Sequence, residues 1–260
     1  MSRGICVDNA DPANSAAYWA VIEHHRTWIA GDGIHFLQIH RDHGGTMPLN
    51  IAQRIANDYG VIRTIGSHMS GNDKQALPNL LNRISQAEWP DCLIKRAEVC
   101  LKIAKEHREV RKEEVNKKSH APVSGVTKIM WFIRPKGWTM FDRFARIGLI
   151  GGQNSAMAFY KQLSNSGFLD LAYEINNLCR FHGFNDLWGE RIIDKFLLAR
   201  GSWPSRVNGF DGGLAEAKVV GNWYLHMQHP DVEKRLVSLA ADVAQILNDT
   251  SLPMNSTDLK

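Results

Sequence analysis

The sequence predicts an all-α fold, and three observations carry that prediction. Apolar residues recur at helical spacing along most of the chain. Strand-like alternation is scarce, and no two apolar runs are joined by convincing hairpin turn chemistry. No repeat of fixed period interrupts the pattern.

The helices follow in order. Asp11-Pro12 reads as an N-cap with a first-turn proline, opening a helix toward Ala30 that Gly31 and Gly33 should end. Pro48 opens a second toward Tyr59, closed by Gly60, and a third covers about residues 75–88. After Pro90 comes a long helix in which Leu93, Ala97, Cys100, Leu101 and Ala104 share one face. Its far end, KEHREVRKEEVNKK, is almost wholly charged and reads either as a solvated helix or as a basic arm touching phosphates. Further helices are expected over residues 126–133, 139–147, 155–164, 169–181, 186–200, 213–227 and 230–248. The tail, NDTSLPMNSTDLK, is polar and expected to fray.

Bulk properties narrow the class. The chain has 260 residues, enough for a core that needs no staples, with 44% apolar and 22% charged residues. The formal net charge of +4 permits an anionic partner without demanding one. Cys6, Cys92, Cys100 and Cys179 form no CxxC and fit neither a zinc site nor an iron–sulfur cluster. The first ten residues, MSRGICVDNA, lack the apolar core of a secretion signal, and no apolar run approaches the roughly 18 residues of a membrane span. A cytoplasmic protein without a membrane partner is the expectation.

The stretch SGVTKIMWFIRPKGWTMFDRFARIG carries the chemistry. Gly125 allows close backbone approach, and Thr127 is placed to cap a helix. A lysine at a helix N-terminus opposes the dipole, and burial beside Ile129, Met130 and Trp131 adds to that. Both effects favour a neutral, nucleophilic amine at Lys128. Asp142, after Trp138-Thr139-Met140-Phe141, could take the proton or stabilise a positive sugar. A plain salt bridge across a helical hairpin is the competing reading.

Gly125-Val126-Thr127-Lys128, the apolar helix and the later aspartate resemble the helix-hairpin-helix DNA glycosylase superfamily, in its 8-oxoguanine glycosylase (OGG-fold) branch. The segment LWGERIIDKFLLARG, residues 187–201, is similar to the R-x-x-D-x-x-L helix of small members of that branch. The likeness covers about residues 120–201. In place of Leu-Pro-Gly the hairpin reads HAPVSGV, so it is degenerate. The resemblance implies a two-lobed helical fold with a cleft. It divides the chain into a helical lobe of unrecognised type (1–119), a catalytic region (120–250) and a flexible tail (251–260). It also implies excision of an oxidised or otherwise modified base from duplex DNA with a flipped nucleotide. Lys128 would attack C1′ and form a Schiff base competent for strand cleavage, with Asp142 as its carboxylate partner and with no metal or organic cofactor needed. The alternative is a non-catalytic helical nucleic-acid-binding or phage-defence accessory protein.

Other residues are weighed beside this centre. Gly125, Thr127, Arg134, Lys136, Arg143 and Arg146 are candidate DNA contacts, although the four cations are also ordinary surface residues. Trp131, Trp138 and Phe141 are candidate base-pocket residues; with Phe132 and Phe144 they serve equally as core. His35, His40 and His43 read as surface or substrate-contacting histidines rather than metal ligands. Gly151–Ser155 (GGQNS) offers a phosphate loop or a plain N-cap, and Arg191 with Asp194 an i, i+3 ion pair.

Overall fold

The computed structural model describes residues 12–66, 75–115, 121–202 and 230–250, and among them there are helices and no strand. The all-α expectation therefore holds. Asp11, the helix expected over 213–227, the tail from 251 and His120, the first residue of the HAPVSGV segment, lie outside the described residues. The chain forms two compact units. The first draws on Met1–Ala30, Arg143–Gly152 and Ser166–Lys260, the second on Gly31–Asp142 and Gln153–Asn165.

In the first unit, α1 (Pro12–Thr27) turns Ala17, Ala20, Val21, His24 and His25 inward. Those positions fall at i, i+3, i+4, i+7 and i+8, one face of a helix. Gly31 and Gly33 do not end the helical path. It runs on through a π-turn (Trp28–Asp32) into α2 (Gly33–Leu37) and a second π-turn (Gln38–Asp42), the last two in the second unit. A glycine within a helix costs only about 1 kcal/mol relative to alanine, and none of these residues needs a positive φ. Helices α8 (Arg143–Ile150) and α11 (Gly189–Ser202) pack with their backbones nearly touching. A Cβ added at Gly148 would strike the Leu197 carbonyl oxygen, and one at Gly201 the Phe144 carbonyl oxygen. Helices α10 (Phe168–Phe181) and α12 (Pro230–Asp249) complete this unit.

The second unit holds α3 (Leu49–Asp58), α4 (Ile62–Ile65), α5 (Ala76–Gln86), α6 (Leu93–Val115), α7 (Val123–Ile133) and α9 (Ala156–Asn165). As expected, α6 buries Leu93, Ala97, Cys100 and Ala104, while Leu101 is only half-buried. Its charged half is not simply solvated. His107 and Arg111 are buried and donate to the last carbonyls of α4: His107 Nε2 to Ile65 O at 2.9 Å, Arg111 Nη1 to Thr64 O at 2.6 Å. Those carbonyls lack helical partners, so two polar side chains of α6 satisfy the end of a one-turn helix.

Two boundaries moved for identifiable reasons. The helix expected from residue 139 starts at Arg143, because Thr139 O accepts from Tyr160 Oη and Phe141 N donates to Thr127 Oγ1. Groups so engaged are not available to a first helical turn. The helix expected from residue 186 starts at Gly189; before it Leu187 N closes a turn on Phe184 O, and Trp188 N and Gly189 N, donors without helical partners, are met by His24 Nε2 and Asn176 Oδ1. At Gly151–Ser155 the structure has a C-terminal glycine (Gly151, φ 64°) and an N-cap, Ser155 Oγ accepting from Ala158 N.

Candidate active site

All residues from Gly125 to Phe132 are buried, which makes α7 the central helix of its unit. Gly125 is where Ile65 approaches closest: a Cβ there would collide with the Ile65 side chain, so its missing side chain serves internal packing. The helix starts at Val123, not at the Gly-Val pair. Lys128 therefore lies in its second turn, beyond the first-turn donors that make a helix end positive. The electrostatic argument for an activated lysine at a helix start does not apply. Thr127 is likewise no cap; its hydroxyl donates to Ser124 O at 3.1 Å.

Thr127 instead organises the site. After α7 the chain reverses at Pro135–Trp138, where Trp138 N donates to Pro135 O at 3.1 Å and Gly137 takes φ 66°, a value that favours glycine. The returning strand of chain is then held against Thr127 at two points. Trp138 Nε1 donates to Thr127 O at 3.2 Å, and Phe141 N to Thr127 Oγ1 at 3.0 Å. The residue after Phe141 consequently falls beside the residue after Thr127. Asp142 Oδ2 lies 3.4 Å from Lys128 Nζ, with the two side chains 25% and 9% exposed.

The ammonium also faces the Tyr59 ring, 5.6 Å from its centroid. Tyr59 Oη donates to the carboxylate of buried Asp32, at 2.8 and 2.9 Å from its two oxygens, and its ring edge meets Phe132. Lys128 is thus held by one carboxylate and one anchored aromatic face. Sequence reasoning missed Tyr59 and Asp32. Both lie far upstream of Lys128, in a region without a recognised motif, and only the packing of α3 on α7 brings Tyr59 near.

The remaining candidates scatter. Trp131 and Trp138 are fully buried core side chains, Trp138 stacking on Tyr160 at 4.7 Å and meeting Trp89 edge-on. As they stand, neither offers a face to a base. Phe141 is half-buried against Phe159. Arg134 donates to Ala87 O at 3.2 Å with its guanidinium over Trp89, and Lys136 is exposed. Arg143, exposed beside Phe144, and half-buried Arg146 belong to the first unit. Of the histidines, His35 Nε2 donates to Asp58 at 2.8 Å, His40 Nε2 to Phe132 O at 2.9 Å, and His43 is exposed. No group of three or more potential metal ligands gathers among the described residues.

The first unit contains a second gathering of charge. Glu23 accepts two bonds from Arg26, at 2.7 and 2.8 Å, and lies 3.6 Å from the buried Lys195. Although burial opposes it, the Arg26 bond and the Lys195 charge hold the Glu23 carboxyl below its usual range. Arg191 and Asp194 form the expected i, i+3 pair, and both are buried. Burial first, then Arg191 and Lys195, pushes His24 well below the ordinary histidine range, in keeping with a neutral ring that accepts from Trp188 N. Burial also drives the Cys179 thiol up to about 12 and raises Cys100, so neither is a thiolate nucleophile at neutral pH.

No helix among the described residues is long and apolar enough to cross a membrane. No protein-family model, no curated protein and no solved structure matches the chain.

Proposed function

We propose that the chain is a cytoplasmic DNA glycosylase with lyase activity, acting on an oxidised or otherwise modified base through Lys128. The observation that carries the reading is the Lys128–Asp142 pair, a shielded amine 3.4 Å from a carboxylate at the positions the resemblance singled out. An ordinary buried ion pair has the same geometry, which is why the test must be chemical. In the proposed reaction Asp142 accepts a proton from the ammonium. The freed amine attacks C1′ of a flipped nucleotide as the glycosidic bond breaks, and the base departs with the bonding electrons. Loss of a further proton and ring opening give the Schiff base, from which β-elimination cleaves the strand. Asp142 passes the ammonium proton on to the departing base, and the carboxylate so restored stabilises positive charge at the sugar.

Half-buried Phe141 is the aromatic residue best suited to touch the base, and Lys136, Arg143 and Arg146 are the proposed phosphate contacts, with Arg134 contributing the donors it has left. The two-lobed architecture with a cleft belongs to the same proposal. Borohydride trapping on a panel of modified duplexes tests it. The wild-type protein should form a covalent adduct and Lys128→Gln none; undiminished trapping by the variant would remove Lys128 from the mechanism.

A further inference from the structure

A cavity of about 430 Å³ opens in the second unit, between the loop after the second π-turn, one face of α5 and the end of α7. That volume is within the usual range for small organic ligands. Its walls are chemically lopsided. Met47, Leu81 and Ile133 give an apolar floor; Thr46, Asn82 and Arg134 give a polar side; no carboxylate lines it.

The polar groups have capacity to spare. Arg134 spends one Nη1 bond on Ala87 O, and its Nε and Nη2 donate to nothing among the described residues. Asn82 accepts from Gln86 through Oδ1, leaving its Nδ2 donors unused, and Thr46 Oγ1 makes no bond among the described residues. Donors in excess, one fixed guanidinium and no negative charge favour an anion. The guanidinium lies over the Trp89 ring, 5.5 Å from its centroid. The apolar floor favours an anion attached to a flat or apolar body.

We propose that this cavity binds a phosphomonoester of nucleotide size, with the phosphate on Arg134, hydrogen bonds from Asn82 and Thr46, and the organic body against Met47, Leu81 and Ile133. A free nucleoside monophosphate and the 5′-phosphorylated end of a DNA strand present the same chemistry. The site does not depend on what Lys128 does.

Titration calorimetry on the full chain tests it with four probes: deoxyadenosine monophosphate, deoxyadenosine, a 5′-phosphorylated trinucleotide and the same trinucleotide without the phosphate. One or both phosphorylated probes should bind, at least about tenfold more tightly than the unphosphorylated counterpart. Tighter binding of the mononucleotide identifies a free metabolite as the source, and tighter binding of the trinucleotide a strand end. Asn82→Leu, at an exposed position, should weaken binding by at least about tenfold. Arg134→Gln should do the same, and Arg134→Lys should restore part of it. The proposal is overturned if no phosphorylated probe binds at about 1 mM, if removing the phosphate makes no difference, or if a folded Asn82→Leu protein binds like wild type.

Discussion

Lys128 and Asp142 face each other because Thr127 holds the returning chain by its carbonyl and its hydroxyl. Thr127, which caps nothing, thus sets the register of the site. Asp142→Asn keeps this shape and removes one charge. The variant should melt at a lower temperature, by about 1–3 kcal/mol of lost stability, because the shielded ammonium loses its carboxylate. If Asp142 also acts in the chemistry, single-turnover excision should slow by at least about 100-fold, or about 2.7 kcal/mol. Normal excision by the destabilised variant would restrict this aspartate to holding the fold. The pair itself was legible in the sequence, since both residues sit on one short hairpin with an apolar helix between them. Tyr59 and Asp32 were not, because no local spacing links α3 and the first π-turn to α7. Nor was the core role of Trp131 and Trp138: a buried aromatic and a base-stacking aromatic look identical in a sequence.

In the first unit the packing of α8 on α11 depends on two glycines, and that of α1 on α11 on a buried charge cluster. Gly148→Ala or Gly201→Ala would insert a methyl group into the facing backbone, which cannot move aside as a side-chain tip can. Each should cost at least about 1–3 kcal/mol in thermal or denaturant unfolding. Gly152→Ala meets open space and should change stability by less than about 0.5 kcal/mol. The contact between α1 and α11 adds a pH dependence. His24 has a depressed folded value against an ordinary one of 6.5, so below 6.5 the unfolded chain takes up the proton first. Stability should then fall with acidification, by up to about 1.4 kcal/mol per pH unit for that one proton. Glu23, depressed below 4.5, adds a loss in the same direction at lower pH. Unfolding at pH 7.5 and 5.5 checks this: wild type should be the less stable at pH 5.5, and His24→Gln, which retains an acceptor for Trp188 N, should flatten the difference. An equally steep dependence in that variant would place the titrating group elsewhere. Periodicity located most of the described helices to within a few residues. It erred where side chains claimed backbone groups, at Thr139–Asp142 and before Gly189, and where glycines proved tolerable inside a helix, at Gly31 and Gly33. Such effects depend on partners distant in sequence, which periodicity does not encode.

At the scale of the whole molecule, an all-helical chain with a mild basic excess is proposed to act on a polyanion, and that makes two demands. Affinity for duplex DNA should fall steeply with salt, with a log–log slope that drops by roughly 0.9 for each phosphate contact removed. Alanine at Lys136, Arg143 and Arg146 together should therefore flatten the slope by about 2.7 if all three contact phosphates. A slope equal to that of wild type would make them ordinary surface cations. The second demand is covalent. The chain has a second buried lysine, Lys195, in a wholly different charge cluster, so the position of an adduct discriminates where its mere formation does not. The decisive measurement is peptide mapping by mass spectrometry after borohydride trapping on a panel of modified duplexes. The sugar remnant should sit on the peptide containing Lys128 and be absent from the Lys128→Gln protein. A remnant on Lys195 or any other amine, or no adduct with any duplex of the panel, would contradict the proposed chemistry.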